Sequence, residues 1–371
     1  MSVSDYLVLG AGLAGTSLSL ALCRAGRNVR LVDTAAVGSG ASGTPGALVN
    51  LATGRRGTRV WRADRCLRAV RGNLEAASDH LEAGDPPFWR PTGVLRPALT
   101  PKMARKMREQ YEKTQWDPSM CRWLDRGAVH ERHPGISCVD GGLWLPAGMS
   151  VDSGAYLEAL ARLLCAEGAE VHEHVSYELR RENGVWIAEG EDGVGQAIRW
   201  KARRAVFAAG RAMVEHPLWN FLNLHPVKGQ LALLETDQPL GFAHSVSSLG
   251  YLSNAGDNRH CVTGSTYEHD YNHLKPDQEG ENYLRRRLRR ALPELEARAR
   301  TKGRWSGVRV SSPDRKPVLG AHPREKDLYC FTALGSKGLL YSAYLATCMS
   351  GWLEGIDKLP EAVHIRRMTE G

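Results

Sequence analysis

The segment Tyr6-Leu7-Val8-Leu9-Gly10-Ala11-Gly12-Leu13-Ala14-Gly15 decides the fold of this chain. It is a short apolar run followed by a glycine-rich turn. A helical stretch then continues to about Ala25, and a second apolar run, Val29–Val32, ends at Asp33. The order strand, glycine turn, helix, strand predicts a βαβ unit that begins a parallel sheet.

The three glycines of this turn predict a dinucleotide-binding site. Gly10 allows the tight turn, Gly12 lets the backbone approach a pyrophosphate, and Gly15 lets helix and strand pack closely. The start of the helix offers unpaired N–H groups and a positive dipole end to the phosphates. Asp33 is placed to accept hydrogen bonds from ribose hydroxyls, and its charge disfavours a 2′-phosphate. The cofactor residues predicted here are Gly10, Gly12, Leu13, Ala14, Gly15 and Asp33.

Small residues further along the chain favour FAD over NAD as the dinucleotide. Gly40-Ala41-Ser42 follows Asp33 closely and suits a loop that lies against a pyrophosphate or a flavin edge. A later predicted strand ends in Ala208-Ala209-Gly210, which also allows close approach of a cofactor. Val175, at the end of another predicted strand, is assigned to the same site. Apart from the turn at 10–15 and the loop at 38–43, no further G-x-G-x-x-G occurs in the sequence, so a separate NAD(P)H domain is not expected.

Composition and charge narrow the class of protein. The net charge of +8 leaves an acidic partner open, whether nucleic acid, phosphate or carboxylate. The eight cysteines are scattered without a C-x-x-C pair, which argues against a zinc site and against a disulfide framework. No apolar stretch reaches the ~20 residues of a membrane span. We therefore predict a cytoplasmic protein with no metal site.

Periodicity predicts an α/β architecture in which a Rossmann-type FAD-binding domain is interleaved with a sheet-based α+β substrate domain. Helices are predicted at 67–81, 103–113, 154–168, 281–292 and 339–353. Strands are predicted at 171–175, 186–189, 198–201, 204–208, 229–235, 250–253, 260–264 and 328–332. The discontinuous FAD-binding domain is assigned to 1–85, 145–225 and 305–371. The substrate domain is assigned to 86–144 and 226–304.

These segments together resemble the D-amino-acid-oxidase-like flavoproteins, which include glycine and sarcosine oxidases. The resemblance covers nearly the whole chain and includes a C-terminal signature. That signature is Gly307-Val308-Arg309, Pro313-Asp314, Pro317-Val318-Leu319-Gly320 and Ala333-Leu334-Gly335-Ser336-Lys337-Gly338-Leu339. A looser similarity links the chain to the flavin half of the bacterial bifunctional enzyme that modifies the wobble uridine of tRNA. It rests on Pro226-Val227-Lys228-Gly229-Gln230, Gly250-Tyr251-Leu252, Gly264-Ser265-Thr266-Tyr267 and Gly335-Ser336-Lys337-Gly338.

The resemblance assigns a role to several residues. It implies that the turn formed by Gly335, Ser336, Gly338 and Leu339 places the N-terminus of the last helix near the flavin pyrimidine ring, where it stabilises negative charge. Lys337 would add a positive charge there, unless it faces solvent. Arg309 aligns with the family arginine that pairs with a substrate carboxylate; the alternative is a salt bridge. Tyr251 aligns with a tyrosine of the pocket, or simply packs. No covalent-flavin cysteine is visible near Ser311-Ser312, so we predict noncovalent FAD.

The resulting hypothesis is oxidation of a carbon–nitrogen bond by hydride transfer to flavin N5, followed by hydrolysis of the imine. One substrate class is a small amine or N-substituted amino acid. The other is a carboxymethylaminomethyl group on a tRNA uridine, whose carboxymethyl group would be removed. A third alternative is a flavin-binding protein without amine oxidation activity. Two arginine clusters bear weakly on the choice between them. They are Arg55, Arg56, Arg59, Arg62, Arg65, Arg68 and Arg71, and Arg285, Arg286, Arg287, Arg289 and Arg290.

Overall fold

Two large sheets carry most of the strands in the computed structural model, which describes residues 3–369. The strands are β1 Val3–Leu9, β2 Val29–Val32, β3 Ala47–Val49, β4 Ala52–Thr53, β5 Thr58–Arg59, β6 Trp89–Arg90, β7 Val94–Pro97, β8 Arg122–Asp125, β9 Gly141–Leu145, β10 Met149–Val151, β11 Glu170–His172, β12 Ser176–Glu182, β13 Val185–Glu191, β14 Ala197–Phe207, β15 His225–Thr236, β16 Ser245–Ser247, β17 Tyr251–Asn254, β18 His260–Gly264, β19 Ala299–Ser311, β20 Val318–Ala321 and β21 Leu328–Thr332.

Eight α-helices connect and cover these strands within the described range. They are α1 Leu13–Arg24, α2 Ala63–Ser78, α3 Pro101–Thr114, α4 Arg126–Arg132, α5 Ser153–Ala166, α6 Gln278–Ala291, α7 Pro293–Arg298 and α8 Gly338–Leu353. Short 3₁₀ turns occur at Gly210–Met213, Asn220–Leu222, Gly335–Lys337, Glu361–Val363 and Ile365–Met368. Across residues 3–369 none of the helices has the length and apolar character needed to span a bilayer.

The first sheet is built on a parallel core in the order β11-β2-β1-β14-β21, to which β12, β13 and β20 add antiparallel strands. Strand β1 is buried on both faces. Tyr6 and Val8 pack into one apolar cluster with helices α1, α5 and α8, while Leu7 and Leu9 pack into a second cluster around Trp219. Burial on both sides explains why this strand is a continuous apolar run instead of an alternating one.

The parallel strands end at one edge of this sheet, and that edge carries the predicted cofactor residues. Leu9 is paired with Val32 and with Phe207, so the chain leaves three neighbouring strands at the same level. Gly10, Asp33 and Ala208 are the residues that follow. In open α/β sheets, ligands bind in the crevice outside the carboxyl ends of the strands.

The second sheet has the order β19-β15-β18-β17-β16-β7-β9-β8. Asp277 is the N-cap of helix α6, and its side chain accepts a hydrogen bond from Gly280 N at 2.8 Å; the helix buries Leu284 and Leu288. These leucines join an apolar cluster with Ala232 and Leu252 of the sheet. One face of the sheet is therefore covered by helix α6. The opposite face is open and faces the crevice at the carboxyl ends of the first sheet's strands.

The predicted fold class is confirmed, with errors in individual elements. The strand predicted at 171–175 ends at His172, so Val175 lies beyond it. The strands predicted at 198–201 and 204–208 are one strand, Ala197–Phe207, because its first half pairs with β13 and its second half with β1. The helix predicted at 67–81 spans Ala63–Ser78. The division into an FAD-binding and a substrate domain stays a proposal; strand β19 runs across its boundary at 304/305.

A glycine in the middle of α2 offers a test of this helix. Gly72 is exposed, and a β-carbon built on it meets nothing within 4 Å. Alanine loses less backbone entropy than glycine on entering a helix, so Gly72→Ala should raise the free energy of unfolding by ~1 kcal/mol. Urea denaturation of the two proteins measures this difference. An unchanged or lower midpoint would contradict the helical assignment here.

Candidate active site

A cavity of about 1030 Å³ lies between the carboxyl edge of the first sheet and the open face of the second. Its volume is at the upper end of the range for small-molecule sites, which gives room for a dinucleotide and a substrate. Most of the predicted site residues line it: Gly10, Gly12, Leu13, Ala14, Asp33, Gly40, Ala41, Ser42, Ala209, Gly210, Tyr251, Arg309, Gly335, Ser336, Lys337, Gly338 and Leu339. Gly15 and Val175 do not.

Close packing explains the glycine turn. Gly10 has φ +109°, and a β-carbon there would lie 2.6 Å from the Ala208 carbonyl oxygen, so no other residue fits. Gly15 packs against the Gly10 carbonyl, which is the helix–strand packing role predicted for it. Val175 is buried, and its N–H donates to the Asp33 carbonyl oxygen at 3.0 Å. It therefore contributes to the position of Asp33 instead of facing the cavity.

The side chains of Asp33 and Ser42 accept hydrogen bonds from backbone N–H groups in and near the glycine turn. Asp33 Oδ2 accepts from Ala11 N at 2.7 Å and Oδ1 from Ala35 N at 2.9 Å. Each carboxylate oxygen keeps a further lone pair with which to accept a ribose hydroxyl. Ser42 Oγ accepts from Leu13 N at 3.1 Å. The next N–H of α1, that of Ala14, has no acceptor in the described part of the chain and remains available to a phosphate.

Other parts of the cavity wall carry polar groups that a ligand could meet. Ser153 Oγ and Thr332 Oγ1 line the cavity and are buried without a hydrogen-bond partner among residues 3–369, as expected of groups that meet a polar ligand. Helix α8 points its N-terminus at the cavity with no acidic side chain in its first turn. None of the cysteines of the described chain lines the cavity, and the noncovalent attachment of FAD stays a prediction.

Arg309 projects from β19 over a notch in the neighbouring strand β15. A β-carbon on Gly229 would lie 2.5 Å from Arg309 Nη2, so the guanidinium occupies the space that a side chain would fill. Nη1 donates to the Thr266 carbonyl oxygen at 3.3 Å, and the guanidinium lies 4.9 Å from the Tyr267 ring centre. No carboxylate in the described chain forms an ion pair with it. The salt-bridge alternative for Arg309 is thus not what the structure shows.

Tyr251 and Lys337 are half-buried in the same cavity. Burial raises the pKa of Tyr251 to about 12, although nearby Arg309 acts in the opposite direction. The phenol is therefore neutral at physiological pH and can donate a hydrogen bond to a carboxylate. Burial lowers the pKa of the Lys337 ammonium, whose Nζ lies 5.7 Å from the Tyr341 ring centre. The alternative of a fully solvent-facing Lys337 does not match this position.

The Tyr251 hydroxyl gives a prediction about substrate affinity. Tyr251→Phe should raise KM for a carboxylate-bearing amine roughly 10- to 100-fold, because a hydrogen bond to a charged group is lost. Since the neutral phenol is the donor and its pKa is about 12, this contribution is present at neutral pH and is lost as pH rises towards 12. KM measured at several pH values tests both parts. Tyr271→Phe, outside the cavity lining, is the matched control; equal effects of both variants would contradict the role.

Several residues of the cavity wall were not among the predicted site residues. Arg96, Tyr267 and Trp305 are three of them with large side chains. Trp305 precedes the Gly307-Val308-Arg309 signature by two residues, and the period of a strand puts it on the same face as Arg309. Arg96 had a weaker signal in the sequence, a charged residue directly after the apolar Val94-Leu95.

The two arginine clusters differ in their surroundings. In the second, Arg285 and Arg289 pair with Glu296 at 2.9 and 2.7 Å, and Arg287 donates to the Leu249 carbonyl oxygen. In the first cluster, Arg59 pairs with Asp64 at 2.6 Å. Its exposed members without an ion pair in the described chain are Arg55, Arg56, Arg62, Arg65, Arg68 and Arg71. Arg55 lines the cavity as well, so this cluster begins at the cavity.

Known proteins are similar to this chain over nearly its whole length. Residues 5–352 match the family model described as DAO, FAD dependent oxidoreductase. Glycine oxidase of Pseudomonas aeruginosa is 27% identical over 368 residues, covering 96% of this chain and 97% of that protein. The tRNA 5-methylaminomethyl-2-thiouridine biosynthesis bifunctional protein MnmC of Idiomarina loihiensis is 29% identical over 364 residues, covering 95% of this chain but 56% of that protein.

The fold is shared with solved structures as well. The crystal structure of glycine oxidase from Geobacillus kaustophilus superposes with a TM-score of 0.81 at 20% identity, covering 98% of this chain and 100% of that one. At this identity the likeness speaks for the fold alone. The family match, in contrast, extends over nearly all of the sequence, glycine turn and C-terminal signature included. The chain belongs to the DAO family of FAD dependent oxidoreductases.

Proposed function

We propose that this protein oxidises the carbon–nitrogen bond of an amine or N-substituted amino acid that carries a carboxylate. The observation that carries the proposal is the unpaired Arg309 guanidinium beside the neutral Tyr251 hydroxyl, in the same cavity as the dinucleotide turn. A planar guanidinium matches the two oxygens of a carboxylate, and a phenol adds a third donor.

The side chains of the cavity then have separate tasks. Arg309 and Tyr251 hold the carboxylate and thereby orient the carbon that bears the nitrogen. FAD, when bound, supplies the chemistry of accepting a hydride from that carbon. The nitrogen lone pair forms the C=N bond of an imine, and water hydrolyses the imine to a carbonyl compound and an amine. The N-terminus of α8 and Lys337 lie where positive potential favours a negative charge on the cofactor. No side chain needs to act as a general base if the amine binds in its neutral form.

An anaerobic substrate screen on the holoenzyme tests this function. Glycine, sarcosine and other N-substituted amino acids are mixed with the protein, and the flavin absorbance near its visible maximum is followed. Bleaching by carboxylate-bearing amines, but not by matched amines that lack the carboxylate, is the expected result. If no amine bleaches the flavin while dithionite does so readily, the proposal fails and a flavin-binding protein without amine oxidation activity is left.

A carboxymethylaminomethyl group on a tRNA uridine is the second candidate substrate, since it also presents a secondary amine and a carboxylate. The observation that favours it is the exposed arginine cluster that begins at Arg55 on the cavity wall and continues along α2. Arg65, Arg68 and Arg71 are spaced by three residues and share one side of that helix. Phosphate contacts by such a row would make RNA binding strongly dependent on salt. The name of the MnmC relative refers to tRNA 5-methylaminomethyl-2-thiouridine biosynthesis, which supports this candidate. This chain spans 56% of that protein.

Retention of tRNA at two salt concentrations tests this second candidate. The holoenzyme is mixed with tRNA that carries the carboxymethylaminomethyl group and with unmodified tRNA. Flavin bleaching by the modified tRNA alone, with binding that weakens as salt rises, would support it. The triple variant with Arg65, Arg68 and Arg71 changed to Gln should lose retention but keep its reaction with small amines. Absence of retention at low salt would remove this candidate.

A further inference from the structure

Arg96 is a buried cation in the cavity wall, separate from Arg309. Arg96 is only 3% exposed, yet it lines the cavity. Nη1 donates to Ser247 Oγ at 2.7 Å and Nη2 to the Gly54 carbonyl oxygen at 2.7 Å. Its Nε has no acceptor within residues 3–369, and no carboxylate there pairs with the guanidinium. Arg96 is thus held in place by neutral groups, with its charge uncompensated.

An uncompensated buried charge is unusual because desolvation costs several kcal/mol per ion. Proteins normally pair such a charge or neutralise it. Burial lowers the pKa of the Arg96 guanidinium to about 10, so it is still charged at neutral pH. A cation kept without a counter-ion in the wall of a ligand cavity is best explained by an anion that the ligand brings.

Ser247 adds a hydrogen-bond donor next to the Arg96 guanidinium. Its Oγ accepts hydrogen bonds from Arg96 Nη1 and, at 3.2 Å, from Asn50 Nδ2. The Ser247 proton is therefore left to donate, and no acceptor for it lies in the described chain. Asn50, Ser247 and the exposed Arg55 line the same cavity as Arg96. The cluster offers donors and positive charge, with no acidic group.

The register of the second sheet places this cluster relative to the proposed carboxylate site. Val94 pairs with Ser245 and Leu95 with Val246, so Arg96 lies beside Ser247, which pairs in turn with Tyr251. Neighbouring strands are ~4.8 Å apart, which puts the Arg96 backbone ~10 Å from that of Tyr251. Arg309 lies towards the opposite edge of the sheet, on the terminal strand β19.

We propose that Arg96 and Ser247 form a second anion subsite, which binds a carboxylate or phosphate on the substrate remote from the carboxylate held by Arg309. This inference rests on the proposed amine oxidation and specifies its substrate class. The substrate is an N-substituted amino acid whose nitrogen substituent carries an anionic group at its far end. Glycine and sarcosine lack such a group and would leave the subsite unused.

Unreactive ligands separate this inference from the oxidation itself. The probes are S-alkylated thioglycolates, in which sulfur replaces the amine nitrogen so that no oxidisable amine C–N bond is present. Each has an alkyl chain of graded length that ends in a carboxylate, a phosphate monoester or a primary amide. Binding to the oxidised holoenzyme is followed by the change in the flavin absorbance spectrum. The proteins compared are the wild type, Arg96→Gln, and Arg56→Gln as the matched control, an exposed arginine outside the cavity lining.

At the best chain length, the wild type should bind the anion-ended ligands about 10- to 100-fold more tightly than the amide-ended ligand. Arg96→Gln should abolish that preference and leave the Kd of the amide-ended ligand unchanged, while Arg56→Gln should behave as the wild type. A stronger preference for phosphate indicates a nucleotide phosphate as the natural source, and one for carboxylate indicates a dicarboxylic amine; both support the subsite.

Two results would overturn the subsite. One is equal affinity of the wild type for anion-ended and amide-ended ligands at every chain length. This measurement uses the wild type alone, so it does not depend on whether a variant folds. The other is a variant that weakens both kinds of ligand equally, as expected of a merely structural Arg96. Ser247→Ala serves as the second variant if Arg96→Gln is unstable, with a smaller loss expected. Because the thioethers cannot be oxidised at nitrogen, these outcomes are independent of whether any amine bleaches the flavin.

Discussion

Arg309→Leu should lower kcat/KM for carboxylate-bearing amines by roughly 30- to 5000-fold, with most of the loss in KM. Truncating one member of a buried, hydrogen-bonded charge pair costs about 2 to 5 kcal/mol, which corresponds to that range. The guanidinium lies over the Gly229 notch and has no protein carboxylate as a partner, so its charge is available to a substrate carboxylate. Steady-state kinetics with a substrate found in the anaerobic screen measures the effect.

Two further variants sharpen this prediction. Arg309→Lys keeps the charge but loses the planar fork, so its activity should fall between those of the leucine variant and the wild type. Arg300→Gln removes an arginine from the same strand at an exposed position outside the cavity lining, and it should leave kcat/KM unchanged. If the leucine variant oxidised carboxylate-bearing amines as well as the wild type does, the carboxylate-binding role of Arg309 would be wrong.

Gly12→Asp should weaken FAD binding by more than about 100-fold, so that the protein is purified largely colourless. A β-carbon at this position meets only the Ser42 side chain, with Oγ at 2.8 Å and Cβ at 3.5 Å, so the fold can adjust to it. The new carboxylate would stand where the pyrophosphate approaches the helix, and juxtaposed like charges cost several kcal/mol. Flavin absorbance per protein after purification, and the Kd from titrating the apoprotein with FAD, measure the loss.

The control for this change is a glycine substitution remote from the cavity. Gly72→Ala in α2 should keep full flavin content, since position 72 is exposed and outside the cavity lining. Circular dichroism of Gly12→Asp should show native secondary structure, which separates loss of the cofactor from loss of the fold. Full flavin occupancy in Gly12→Asp would contradict the assignment of this turn to the pyrophosphate.

The cofactor half of the site could be predicted because its signals are local. The segment from Tyr6 to Asp33 contains a whole βαβ unit, so the glycine spacing and the acidic strand end are visible together. Strand β14 was harder to predict as one strand. Its two halves have different neighbours, and the polar stretch between them resembles a break between two strands. The strands of the second sheet were partly missed for a similar reason. Segments of three or four residues such as β16 and β7 are too short to show a period.

The substrate half depends on contacts between distant segments. Arg309 and Tyr251 were identified through resemblance, and their assigned roles stay proposals. The lack of an ion-pair partner for Arg309 could not be predicted, since it depends on what lies near the guanidinium in space. Arg96 was missed because its significance comes from burial without a counter-charge. A sequence shows neither burial nor pairing, whereas the structure shows both.

The interleaving of the two sheets has a consequence for how the protein is made. Strand β1 pairs with β2 early in the chain, but its other neighbour, β14, is Ala197–Phe207. At a synthesis rate of about 5 to 20 residues per second, β1 waits roughly 10 to 40 s on the ribosome for that partner. Strand β21 and helix α8 emerge later still. Partial chains therefore expose an apolar strand edge for that time, and we expect nascent protein to need protection from aggregation before it can take up its flavin.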